Sequence, residues 1–231
     1  MSDASHPGPL RICLVGATGL VGESVIARAV GRRDVRIIGV ARREAVLPKG
    51  ARMEMLLADP AGWGDAIGAA NARVMVCALG TTWKKAGRDE DAYRAVDQDL
   101  VLSCAHAAKA AGIDHFILVS AVGADPAAKA LYLRMKGEVE GAISRLRFRR
   151  FDILRPGILR GRRHEWRPFE WLGQRLARVA DLFLRGDARK YHSVSADFLA
   201  DVVFALSQEK AAGHFVHDYD AMLRALRRAR G

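Results

Sequence analysis

Tyr132 and Lys136 stand four residues apart in Leu131-Tyr132-Leu133-Arg134-Met135-Lys136, twelve residues after Ser120, which closes the apolar run His115-Phe116-Ile117-Leu118-Val119. On a helix, residues i and i+4 share one face. An ammonium beside a phenol favours the phenolate and lowers the tyrosine pKa. Such a tyrosine can pass a proton to or from a substrate oxygen during hydride transfer. A serine hydroxyl can orient and polarise the same oxygen. The spacing alone is weak, because a half-buried tyrosine and a surface lysine on an amphipathic crossover helix give the same pattern. Its place, after a strand-end serine, makes Ser120, Tyr132 and Lys136 the candidate catalytic group.

Hydride chemistry needs a carrier, and the first apolar run ends in a motif suited to one. Leu10-Arg11-Ile12-Cys13-Leu14-Val15 reads as a buried strand and runs into Gly16-Ala17-Thr18-Gly19-Leu20-Val21-Gly22. Glycines allow a sharp turn and a close approach of phosphate to the main chain. A helix starting near Gly19 would aim unpaired N–H groups and a partial positive charge at that phosphate. The spacing is G-x-x-G-x-x-G, not the commoner G-x-G-x-x-G, and an ordinary glycine-rich turn could look alike. The position at the end of the first strand favours a dinucleotide site, with Gly16, Thr18, Gly19, Leu20, Val21 and Gly22 as its candidate residues.

The second strand, Val35–Val40, leads into Ala41-Arg42-Arg43, and the first acid after it is Glu44. An acid at this tip would bond a ribose 2′-hydroxyl, whereas arginine accommodates a 2′-phosphate. Arg42 and Arg43 therefore favour NADP over NAD, against the alternative of two surface arginines in a loop. Asp59, after the third strand, is placed to touch the adenine edge. Leu79, Gly80 and Thr81, after the fourth, offer small residues where the cofactor would cross the sheet edge.

Six strand-like runs, near residues 10–15, 35–40, 52–57, 73–79, 115–120 and 150–155, alternate with helical patterns, notably at 20–31, 89–111 and 129–146. That alternation predicts an α/β, doubly wound Rossmann fold with a mostly parallel sheet of six or seven strands. Residues 10–231 read as a single NAD(P)-binding domain after a disordered lead-in at 1–9. A small helix-rich C-terminal lobe, mainly in 157–231, is expected to hold the substrate. Trp166 and Trp171 are expected to pack within it, and His192 to line the cleft or cap a loop.

The chain has 231 residues and a net charge of +11, and 50% of its residues are hydrophobic. Residues 141–190 carry 14 Lys plus Arg against 5 Asp plus Glu, a net +9. Arginines interleaved with apolar residues, as in Arg145–Arg150, fit solvated helix ends as well as an anionic partner, and nucleic-acid binding is not the expected function. Cys13, Cys77 and Cys104 form no C-x-x-C pair and read as buried, reduced thiols. Those thiols, with no apolar run approaching a membrane span and no signal peptide, predict a cytoplasmic protein. His214 and His217 lack a third ligand at useful spacing, so no metal site is expected.

Taken together, the Gly16–Gly22 motif, Ser120 and Tyr132-x-x-x-Lys136 resemble the short-chain dehydrogenase/reductase superfamily. Leu79-Gly80-Thr81-Thr82, Lys85-Ala86-Gly87, Val119–Asp125, Lys136-Gly137-Glu138-Val139-Glu140 and Leu154-Arg155-Pro156-Gly157 resemble its atypical branch. That branch includes the Tat-interacting protein oxidoreductases and their bacterial NAD(P)-binding relatives. The resemblance implies NADPH at the glycine turn, Pro156 among the cofactor contacts, and Lys136 on the nicotinamide ribose. Where many members carry an Asn that relays protons, this chain has Val96-Asp97-Gln98-Asp99, and a carboxylate cannot donate as an amide does unless protonated. Two functions follow: an NADPH-dependent oxidoreductase reducing a small carbonyl substrate, or an NADPH-binding regulatory or sensor protein with little catalysis and a protein partner or homodimer.

Overall fold

The structure, a computed structural model, describes residues 8–45, 47–51, 53–84, 86–160 and 186–231. Residues 1–7 of the expected lead-in, Lys85, Trp166 and Trp171 lie outside the described residues.

Each of the six apolar runs forms a strand: β1 (Leu10–Val15), β2 (Val35–Ala41), β3 (Met53–Leu57), β4 (Val74–Cys77), β5 (His115–Val119) and β6 (Arg150–Leu154). Two short strands, β7 (Leu159–Arg160) and β8 (Val194–Ser195), pair with each other. A further strand outside those runs, β9 (Gly213–His217), completes a seven-stranded sheet in the order β3-β2-β1-β4-β5-β6-β9. Every pairing in it is parallel. Inner strands of such a sheet are covered on both faces and so read as unbroken apolar runs. At the sheet edge, β9 leaves Val216 47% exposed and includes two histidines, so it gives no such run.

Helices α1 (Leu20–Ala29), α6 (Ala196–Ser207) and α7 (Tyr219–Arg228) cover one face. There Ile12, Leu14, Val76 and Ile117 pack against Val25, Leu199, Val203 and Met222. The other face carries α2 (Trp63–Ala69), α4 (Leu100–Ala110) and α5 (Leu131–Ser144), with Cys13, Val15, Met75 and Phe116 packed against Ile67, Val101, Cys104 and Ile143. Alternate residues of one strand thus serve opposite layers, as a period of two requires. The described part of the C-terminal tail supplies β9 to the central sheet and α6 to the layer beside α1. No described helix is long and apolar enough to cross a membrane.

The segment 89–111, expected as one helix, is divided. Asp89 accepts from the Ala92 N–H at 2.7 Å and so caps α3 (Glu90–Arg94), a π-helical turn follows at Ala95–Asp99, and α4 continues from it. Such turns are frequent at functional sites. This one carries Asp97, which is 1% exposed.

A buried polar cluster is set into the sheet itself. Asp152 of β6 accepts hydrogen bonds from His115 Nε2 and His217 Nε2, each at 2.6 Å. Arg150 adds Nε at 2.6 Å and Nη2 at 2.9 Å. Burial works to raise the Asp152 pKa, but the hydrogen bonds from His115, His217 and Arg150 outweigh it and hold the carboxyl well below the usual range. His217, weighed in the sequence only as a metal ligand, belongs to this cluster, and His214 stacks on Phe151 at 5.0 Å.

Candidate active site

At the C-terminal ends of β1, β4 and β5 lies a cavity of about 520 Å³. The sheet order reverses between β1 and β4, and doubly wound sheets bind ligands at such a switch point. It is lined by Thr18, Gly19, Leu20 and Val21 after β1, by Leu79, Gly80 and Thr81 after β4, and by Ser120, Tyr132, Lys136 and Asp97.

The glycines of the turn do different work. Gly16 has φ +87, and a Cβ there would lie 2.5 Å from the Ala78 carbonyl oxygen. A Cβ on Gly22 would lie 2.1 Å from the Gly16 carbonyl oxygen, so Gly22 seats α1 on the turn. Gly19 is different: its Cβ would have no protein atom nearer than 3.3 Å. Gly19 faces the cavity at the N-cap of α1, and no side chain caps that helix. Backbone donors of an uncapped helix start beside a glycine that leaves room form a cradle for phosphate.

On α5, Tyr132 and Lys136 reach the cavity together, the Lys136 ammonium 5.8 Å from the Tyr132 ring centroid. Lys136 is 3% exposed and its ammonium lies 3.0 Å from Asp97 Oδ1. The other Asp97 oxygen accepts from the Thr81 backbone N–H at 2.6 Å. The expected lowering of the Tyr132 pKa is not what the surroundings produce. Burial pushes the phenol up; Lys136 pulls it down, and the Asp97 charge pushes it up again, leaving it above its ordinary value. The lysine acts on the tyrosine, but its charge is already answered by Asp97.

Ser120 is buried, and its hydroxyl donates to Glu140 Oε1 at 2.5 Å. Arg155 Nε donates to the same oxygen at 3.1 Å, and its Nη2 pairs with the other. In this arrangement the Ser120 hydrogen is directed at Glu140, and the lone pairs of Oγ are what remain for a ligand.

The structure does not bring every candidate into this cavity. Arg42 and Arg43 follow β2 as exposed side chains, and neither has an ion pair among the described residues. Asp59 is exposed after β3, at the start of a short 3-10 turn. Gly16 and Gly22 shape the turn from behind, and Pro156 lines an adjoining cavity. His192 stacks on Tyr219 at 4.8 Å.

Two residues of the site were not among its candidates. Asp97 was compared with a relay asparagine, yet here it anchors Lys136. Glu140 passed as part of a motif, although Tyr132, Lys136 and Glu140 at i, i+4 and i+8 trace one helix face, a signal that could have singled it out. No cluster of His, Cys, Asp or Glu suited to a metal occurs among the described residues.

Residues 16–167 match the model of a family described as NAD(P)H-binding. The rat protein HTATIP2 is 33% identical over 229 residues, covering 90% of this chain and 90% of its own. The mitochondrial protein fmp52 of Emericella nidulans is 33% identical over 193 residues, covering 80% of this chain and 79% of its own. Among solved structures, a putative NAD-dependent epimerase/dehydratase from Bacillus halodurans superposes with a TM-score of 0.69 at 19% identity, covering 95% of this chain and 99% of that one. The Bordetella bronchiseptica enzyme WbmH in complex with NAD+ gives 0.68 at 15% identity, covering 91% and 75%. At these identities the structural matches speak for the fold, whereas the family model and the relatives at 33% identity speak for descent. The chain belongs to the NAD(P)H-binding family and is a relative of HTATIP2.

Proposed function

We propose that this protein is an NADPH-dependent oxidoreductase that reduces a small carbonyl compound. The observation carrying this reading is that Tyr132, Lys136 and Ser120 line the same cavity as the Gly19 turn. The N–H groups at the start of α1 would hold the pyrophosphate. Leu79, Gly80, Thr81 and Pro156 would flank the nicotinamide half, and Asp59 the adenine edge. Arg42 and Arg43 are the residues suited to a 2′-phosphate, which is the basis for NADPH over NADH. NADPH, when bound, would supply the hydride for the carbonyl carbon. Tyr132 would give its proton to the carbonyl oxygen. Asp97 holds the ammonium of Lys136 beside the tyrosine, where it would meet the nicotinamide ribose of a bound cofactor.

A second reading, an NADPH sensor acting through a protein partner or a homodimer, has one observation in its favour. Lys136 is committed to Asp97, and the Ser120 hydrogen to Glu140. The free, buried Cys13, Cys77 and Cys104 fit a reducing compartment, and we place the protein in the cytoplasm, whereas the fungal relatives are named mitochondrial.

Fluorescence titration with NADPH and NADH tests the cofactor preference, and NADPH consumption with aldehydes, ketones and quinones tests the activity. NADPH should bind more tightly than NADH. Replacing Arg42 and Arg43 by alanine should reduce that preference by about 1.5–3 kcal/mol for each guanidinium that bonds the 2′-phosphate. Equal wild-type affinities would contradict the NADP assignment. Tight NADPH binding without consumption across the panel would favour the sensor.

A further inference from the structure

Beside the cofactor cleft a second cavity of about 270 Å³ opens, and the two share Ser120, Tyr132 and Leu159. Apart from the hydroxyls of Ser120, Tyr132 and Tyr191 its described side chains are apolar, including Val122, Leu133, Pro156 and Ile158. No Asp, Glu, Lys, Arg or His is among the described residues that line it.

Three large side chains of its wall stand partly in water. Tyr132 is 40% exposed, Ile158 62% and Tyr191 48%. Trp83, 44% exposed, packs edge-on against Tyr93 at 5.7 Å, and Tyr93 in turn lies 6.5 Å from Tyr132. Exposed apolar side chains gathered around one concavity mark a surface that a ligand covers. The backbone holds this wall in shape. Val122 N–H donates to the Pro156 carbonyl at 2.9 Å, and Val194 N–H to the Ile158 carbonyl at 2.9 Å. Gly157 packs so closely on the next segment that a Cβ would lie 2.4 Å from the His192 carbonyl oxygen, which brings Tyr191 to the pocket.

We infer that this pocket takes the apolar body of a neutral aldehyde or ketone, with the carbonyl directed at Ser120 and Tyr132, and that Val122, Leu133 and Ile158 select against charged substrates. The inference rests on the reductase reading above. At a water's share of about 30 Å³, the volume suits a body of roughly ten non-hydrogen atoms. A carboxylate or diphosphate on that side would lose its hydration with no described cation to answer it. In the reaction the carbonyl π bond breaks. The carbon gains a C–H bond from the hydride of NADPH, which is oxidised to NADP+. The oxygen gains the Tyr132 proton, which water restores.

The test compares acetophenone bearing a para-methyl group with its para-carboxylate analogue. Turnover is read with NADPH, and binding to the NADP+-loaded protein by saturation-transfer NMR. The neutral ketone should have the higher kcat/KM by about tenfold or more, since an unpaired buried carboxylate costs at least that factor. Leu133→Lys should narrow the ratio severalfold, and so should Ile158→Arg, whose exposed position puts folding at little risk; NADPH affinity should hold in both. Equal handling of the two ketones, or a ratio that neither variant moves, overturns the inference. If neither ketone is reduced, selective binding of the neutral one that Ile158→Arg abolishes supports the pocket while the reductase reading fails. Absence of that binding overturns the pocket.

Discussion

Asp152, buried in the sheet among His115, Arg150 and His217, and Asp97, buried at the mouth of the cleft beside Lys136, are carboxylates with similar surroundings and different consequences. Both are almost inaccessible, and both accept hydrogen bonds on each oxygen. Around Asp152 the partners turn inward, and none of the four residues lines the cleft. Arg150 spends a further donor on the Ala211 carbonyl and lies 4.4 Å from the centre of the Phe215 ring. Around Asp97 the pair itself forms cavity wall, so its charge is felt by whatever occupies the cleft. A buried charge pair is therefore no sign of function by itself. The discriminating feature is whether it borders space that a ligand can enter.

Three expectations put this contrast at risk. The largest concerns Lys136→Met, which should both abolish turnover and destabilise the fold by about 3–5 kcal/mol, because it leaves Asp97 buried and unpaired. Adding Asp97→Asn should return most of the stability, read by urea melts, and none of the turnover. If the single variant is as stable as wild type, the pair is not the anchor described.

Next, Asp152→Ala should cost a similar 3–5 kcal/mol by stranding the Arg150 guanidinium, yet the folded protein should bind NADPH as wild type does. A change in NADPH affinity at full folding would join the two clusters and dissolve the distinction between them. The smallest effect is on pH. Because the folded Asp152 pKa is depressed, its stabilising contribution is complete above the unfolded value of about 3.9 and is lost as pH falls below it. Denaturant midpoints of wild type should fall more steeply below about pH 4 than those of Asp152→Asn; parallel curves would contradict the assignment.

The inner strands and the glycine turn were legible because burial on two faces and the close approaches at Gly16 and Gly22 each leave a mark on the residue types. What the sequence concealed depends on long-range contact. β9 sits at the edge, where Gly213-His214-Phe215-Val216-His217 need not be apolar, so periodicity passes over it. The π turn at Ala95–Asp99 lies within an ordinary helical pattern, and only the fold shows Asp97 turned toward Lys136. Ser120 was legible as a strand-end hydroxyl, but its bond to Glu140, twenty residues away, required the packing of α5 against β5 and β6. For the same reason the Lys136 effect on Tyr132 was read with the right sign but without the opposing burial and Asp97 charge.

The proposed chemistry stands or falls with Tyr132 as the proton donor in a carbonyl reduction supported by bound NADPH. Tyr132→Phe keeps the ring beside Tyr93 and removes only the transferable proton. Paired measurement of NADPH affinity and of turnover with a reducible ketone or aldehyde should show affinity nearly unchanged and kcat lowered by about 10²–10⁴-fold. Turnover equal to wild type in Tyr132→Phe would show that the proton comes from another group.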